Sequence, residues 1–177
     1  KVNSENDTSE TPLHMVCSQG HLENGKLVMQ LLLEAGANRD IVDSSTGKKP
    51  GDNLEDDGLR EWLVAWGKPP QQSLPDQGSN VSETARSEEE CLNMAKRAEE
   101  LHNNLSVVFK MCGREPGAEN QILRALEENQ DLLQAGLFDV NMPAAGNKKN
   151  SCFLHMAAYF RKEALVRSLL DARAKVN

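Results

Sequence analysis

Two stretches near opposite ends of this chain are built alike: Thr11-Pro12-Leu13-His14 and Cys152-Phe153-Leu154-His155. Each leads into a leucine-rich run that closes on alanine, Leu31-Leu32-Leu33-Glu34-Ala35 in the first and Leu169-Leu170-Asp171-Ala172 in the second. Pro12 suits the first turn of a helix, where its missing N–H has no partner to lose. Gly36 supplies a residue tolerant of positive φ after the second helix. Short amphipathic units of this kind cannot bury their faces alone, so the chain must stack them.

The two stretches resemble the ankyrin repeat, a β-turn and two antiparallel helices over about 33 residues. The resemblance implies an all-α fold of helix-turn-helix repeats with short β-turns, and a concave face that binds other proteins. It places Thr11, Pro12, His14, Gly20, Gly36 and His155 at the family's structural positions. It also implies that His14 and His155 hydrogen-bond backbone across neighbouring turns, and that His21 is structural. Asn6 to Glu10 is expected to form the turn. Thr11 to Gly20 keeps the family spacing, but His21 to Gly36 is longer, so Glu23-Asn24-Gly25-Lys26 is expected as an insertion in the inter-helix loop. In the last repeat, Cys152 and Phe153 stand for Thr-Pro, Arg161-Lys162 for Gly-His, and Arg173 for the glycine at the helix end. A positive φ at Arg173 would cost on the order of 1 kcal/mol.

Residues 41–67 read as a degenerate closing repeat. Gly51 and Asp52 replace the usual Leu and His, so its first helix is expected to be weak. Asp57 is expected to cap a helix over Leu59–Trp66, striped by Leu59, Trp62, Leu63 and Trp66. Closing repeats are commonly atypical. Residues 68–87, with three prolines at its start and a polar remainder, read as a flexible linker.

From Ser87 the period changes. Ser87 before Glu88-Glu89-Glu90 is a helix-start signature. Cys91, Met94, Ala98, Leu101, Leu105, Val108 and Cys112 then recur at steps of three and four, an a/d seam. Gly113 ends it, Pro116 precedes the next helix, and Ile122, Leu123, Leu126, Leu133 and Leu137 form a second apolar face. An antiparallel hairpin over 88–137 follows, its second helix similar to half of a worn ankyrin unit. The seam reads either as a self-associating coiled coil over 91–112 or as a face packed within the chain; Ala98 and two cysteines make it thin, which favours the second. His102, beside the seam, is expected to be solvated. The chain therefore divides into repeats over 1–67, the linker 68–87, the hairpin 88–137 and a further repeat over 138–177.

Hydrophobic residues make up 38% of the chain and aromatics 4%, so small aliphatic helices build the core. A net charge of −7 disfavours phosphate neutralisation and hence nucleic acid; it fits a protein partner with a basic face. No apolar run approaches the roughly 18 residues that span a bilayer. The opening residues read as no secretory signal, and the four cysteines form no C-x-x-C pair, so reduced thiols in a cytosolic or nuclear protein are expected. No metal-ligand spacing, phosphate loop or nucleophile motif is present, so no cofactor, metal or enzymatic activity is expected. The resemblance carries partner contacts to Met15, Ser18 and Gln19 of the first helix, to Asp43, Ser44 and Ser45 of a turn, and to Lys148, Lys149, Asn150, Tyr159 and Phe160 of the last repeat. The function read here is a non-catalytic scaffold. The alternatives are a regulatory or accessory domain of a larger enzyme and a coiled-coil oligomeriser.

The chain opens mid-pattern on Lys1-Val2-Asn3, which reads as a piece of a longer array, and closes on Lys175-Val176-Asn177. Overlaying the two tripeptides sets His155 and His14 one repeat period apart, about 33 residues. Segment 138–177 is therefore expected to precede segment 4–67 in the stack, either within one chain or head to tail between chains.

Overall fold

The structure, a computed structural model, describes residues 2–19, 24–67, 88–115, 117–146 and 149–174. The readings placed on Gly20, His21, Pro116, Lys148, the linker 68–87 and the terminal Lys175-Val176-Asn177 lie outside the described residues.

Helix α1 spans Pro12–Cys17 and α2 spans Gly25–Glu34. Thr11 precedes α1 with extended backbone, and its N–H donates to His14 Nδ1 at 3.1 Å. The imidazole thus does the work of the glutamate in a capping box. Helix α2 begins at Gly25, so Gly25 and Lys26 belong to the helix and not to a lengthened loop. Gly25 is buried against Arg161, where an added Cβ would lie 3.4 Å from the guanidinium Nε. Gly36 takes φ +87° after the helix, as the leucine-rich run requires.

The closing repeat is a 3-10 turn at Pro50–Asn53 followed by α3, Asp57–Ala65. The cap of α3 is Asp56, whose carboxylate accepts from the Leu59 N–H at 2.9 Å, so Asp57 is the first helical residue and not the cap. At the other end Arg39 donates to the carbonyls of Leu63, Val64 and Trp66 at 2.6–2.9 Å. A cation there satisfies orphan carbonyls and opposes the negative helix end.

Helix α4 spans Glu88–Met111, α5 Ala118–Glu128 and α6 Gln130–Gln134. Within the seam Ala98, Leu101, Leu105 and Cys112 are buried and Met94 and Val108 are half-buried. Arg97 bridges to Asp131 at 2.9 Å, tying α4 to α6. A second face of α4 is equally committed. Phe109 is fully buried and stacks on Phe153 at 5.1 Å, and the buried Ser106 hydroxyl accepts the Ala145 N–H at 2.8 Å. His102 is not solvated. It is half-buried with its ring edge-on to Phe153 at 5.3 Å, because helix α4 has neighbours on two sides.

Helix α7 spans Phe153–Tyr159 and α8 spans Glu163–Ala174. The helix runs through Arg173, so that position needs no left-handed backbone. The strain sits instead at Arg161, with φ +52°, where the family has glycine at the inter-helix turn. Its side chain is buried, and Nη2 donates to Val16 O at 3.3 Å. A left-handed arginine is retained because its guanidinium reaches the neighbouring unit.

Among the described residues the fold is all-α, with one isolated bridge between Pro143 and Cys152. Helix α4 packs on α5 and α7, α5 on α8, α7 on α1, α8 on α2, and α1 on the 3-10 turn. The layers therefore run α4/α5, α7/α8, α1/α2, then the 3-10 turn with α3. The repeat from the end of the chain precedes the repeat from its beginning, and the joint closes within one chain.

Gly113 lies under the Phe160 ring, where a Cβ would come within 2.6 Å of a ring carbon. Gly117 has no such neighbour within 4 Å. Gly113→Ala is therefore expected to cost roughly 1–3 kcal/mol by overpacking, and Gly117→Ala much less. Urea unfolding of the two variants checks this; equal costs would show that helix propensity, not the ring, sets the penalty.

Candidate functional site

The turns that precede α7, α1 and the 3-10 segment lie side by side. The Asp7 N–H donates to Lys149 O at 3.0 Å, and the Ser44 N–H donates to Thr8 O at 3.0 Å. Three tips, at 149–150, 7–9 and 43–46, thus form one strip although they come from opposite ends of the chain.

Behind the strip two histidines repeat one bond. His14 Nε2 meets Lys48 O at 3.3 Å and His155 Nε2 meets Glu10 O at 2.8 Å. A carbonyl only accepts, so Nε2 carries the proton; the backbone N–H of Thr11 or Cys152 only donates, so Nδ1 accepts. Both imidazoles are buried and committed at both nitrogens. The non-sequential joint therefore reproduces the sequential one bond for bond.

Around that joint Asn6 orders its turn, accepting the Thr8 and Glu10 N–H groups at 3.0 and 2.9 Å. Lys149 pairs with Glu10 at 3.0 Å, and the Asn150 amide donates to both Asp7 oxygens at 2.9 Å. Burial alone would raise the Glu10 carboxyl. Hydrogen bonds from Asn6, Thr8 and Lys149 outweigh it and hold the group below its usual value.

Cys152 Sγ lies 3.0 Å from His155 Nδ1 and 3.5 Å from Ser4 Oγ. With Nδ1 an acceptor, the Cys152 thiol donates to the ring, and burial and that donated bond both favour the protonated thiol. The distance is that of a nucleophile and its base. The chemistry is not, because Cys152 is 2% exposed and both ring nitrogens of His155 hold the joint. Cys17 and Cys112 are pushed up to about 12 and 11 by burial. No group of three or more metal-ligating side chains gathers among the described residues.

The sequence-named contact residues fall into two sets. Ser18, Ser44, Ser45, Lys149, Asn150 and Tyr159 are exposed, Gln19 and Phe160 half-buried. Tyr159 is 43% exposed and packs edge-on against Phe160 at 5.2 Å. Met15 and Asp43 are buried and present no surface. Met15 is part of the core of the stack. Asp43 is spent inside its own turn, accepting from the Ser45 and Thr46 N–H groups at 3.0 and 2.6 Å. The Asp7–Asn150 pair and buried Arg161 had no signal in the sequence, since their partners are more than a hundred residues away.

A cleft of about 360 Å³ opens on the outer side between α5–α6 and α8, floored by Leu123, Leu126 and Leu133. None of the sequence-named contact residues lines it.

The Thr46 hydroxyl, the largest influence, holds the Asp43 carboxyl far below the ordinary carboxylate range; burial opposes it, and the Thr46 N–H and Ser45 donors add to it. A carboxyl depressed on folding contributes fully above its unfolded pKa, near 4, and its contribution is lost as pH falls through the lower folded value. The urea midpoint of the wild type is expected to fall between pH 4 and 2, and Asp43→Asn to fall less over the same window. Parallel curves would show that the turn does not carry the acid sensitivity. His14→Ala and His155→Ala are each expected to cost about 1–3 kcal/mol by orphaning buried backbone groups, with zinc content unchanged; a stoichiometric metal lost in either variant would reverse the structural assignment.

Residues 9–44 match the family model of the ankyrin repeat. No curated protein and no solved structure matches the chain.

Proposed function

We propose that this chain, which carries an ankyrin repeat at residues 9–44, acts by binding another protein along the strip of turn tips and the adjoining exposed ends of α1 and α7. Ankyrin repeats are interaction modules in general, and the observation that carries the reading is the continuity of the strip. Exposed Asn150, Lys149, Ser44 and Ser45 share the strip of tips, while exposed Ser18 and Tyr159 and half-buried Gln19 and Phe160 lie at the C-terminal ends of α1 and α7. Tyr159 is the anchor of the surface. It is a large, stiff aromatic left in water in a chain where aromatics are scarce, and such residues concentrate binding energy.

The function is non-catalytic. The side chains with the geometry of chemistry, Cys152 and His155, are buried and serve the joint. A partner with a basic face fits the net charge of −7, and a cytosolic or nuclear setting fits the free buried thiols. Among the described residues no helix is long and apolar enough to cross a membrane. Burial of Leu101 and Leu105 against the chain's own helices speaks against the coiled-coil alternative.

Affinity capture with the full chain tests the reading. Tyr159→Ala and Lys149→Ala should release a specifically bound protein with a loss of roughly tenfold or more in affinity, about 1.4 kcal/mol. Arg124→Ala, on the exposed outer surface of α5, should leave it bound. A partner indifferent to Tyr159 and Lys149 but lost with Arg124→Ala would move the site to the outer face.

A further inference from the structure

The contacts described between the two halves of the chain are all non-covalent. On one side stand residues 2–67, ending in α3; on the other stand residues 88–174, beginning with α4. The layers place α3 and α4 at opposite ends of the stack, with α7/α8 and α1/α2 meeting in the middle. His155 to Glu10 O, Asp7 to Lys149 O, Asn150 to Asp7, Lys149 to Glu10, and Arg161 to Val16 O all cross this joint.

We propose that this joint also forms between two copies of the chain, giving a reciprocal dimer in which residues 88–174 of each copy stack on residues 2–67 of the other. The described contacts across the joint can form in either arrangement. An open chain would return to water the apolar surface that α1 and α2 bury against α7 and α8. Open chains are therefore driven to close, and only the route of residues 68–87 distinguishes closure within a chain from closure between chains. This is the condition under which exchange of an identical element is a low-cost route to a dimer. Because the exchange is reciprocal, it consumes both faces and ends at two copies. It does not depend on what the strip of turn tips binds.

Closure within one chain requires residues 68–87 to run past the whole stack. Three steps between helix layers at 8–10 Å each come to roughly 25–30 Å. Deleting residues 70–85 leaves Lys68, Pro69, Arg86 and Ser87, which reach at most about 20 Å at full extension. The shortened chain should then close only between copies.

The joint supplies its own reporter. Ser4 Oγ lies 3.5 Å from Cys152 Sγ across it, so Ser4→Cys places two thiols within disulfide reach. The variant is made with Cys91→Ser, since Cys17, Cys112 and Cys152 are buried. In the full-length chain at micromolar concentration, oxidation should give a disulfide within the monomer. In the chain lacking 70–85, sedimentation should show twice the monomer mass with helical content per residue unchanged, and oxidation should give a covalent dimer on a denaturing gel. A folded monomer from the shortened chain overturns the proposal. So does a dimer whose disulfide stays within each chain. If the shortened chain fails to fold, the full-length chain refolded at roughly 0.5 mM decides: a discrete dimer with the disulfide between chains supports the exchange, and monomer alone overturns it.

Discussion

One bond organises this molecule: a buried imidazole donating from Nε2 to a backbone carbonyl in the next turn. His14 makes it to Lys48 O and His155 makes it to Glu10 O. The donor must be the neutral tautomer, and the tautomer is fixed because the cap residue's N–H occupies Nδ1. A local helix cap thereby sets the chemistry of a long-range joint. Remove the cap geometry and the ring loses the lock that aims its proton at the neighbouring unit. The rest of the stack depends on that aim, because the short helices bury too little by themselves to hold a layer in register.

The last repeat keeps the bond while changing nearly everything near it. Cys152 stands where Thr11 stands, and its thiol takes the hydroxyl's place 3.0 Å from the ring. Arg161 adopts a left-handed conformation in place of glycine and sends its guanidinium into the adjacent unit. The two changes have one logic. The unit at the end of the chain meets the unit at its beginning with no covalent continuity to hold them. It adds side-chain contacts at the joint, Asn150 on Asp7 and Lys149 on Glu10 among them. Helix α4 then closes the other side through Phe109 and Phe153, so the hairpin serves as a layer of the stack.

The stacking also explains why the turn tips gather on one edge. The ladder bonds between successive turns, Asp7 to Lys149 and Ser44 to Thr8, align the tips. Met15 is consumed by packing in the core and Asp43 by the hydrogen bonds of its own turn, while Ser44, Ser45 and Tyr159 stay exposed.

Much was legible in the sequence. The Thr-Pro-Leu-His and Cys-Phe-Leu-His stretches, the leucine pairs and Gly36 act over one helical turn or one helix end, so local chemistry determined them. The a/d spacing of Leu101 and Leu105 likewise determined the buried face of α4, and the shared terminal tripeptide announced the order of the repeats. What local chemistry could not determine was whatever a second neighbour supplies. Asp56, not Asp57, caps α3 because the chain path brings its carboxylate to the Leu59 N–H. Gly25 is buried because Arg161 arrives from far along the chain. His102 is half-buried because Phe153 arrives from far along the chain. The tertiary structure decided these positions because burial, hydrogen-bond partners and exposure are properties of pairs of residues, and a sequence pattern carries only one member of each distant pair.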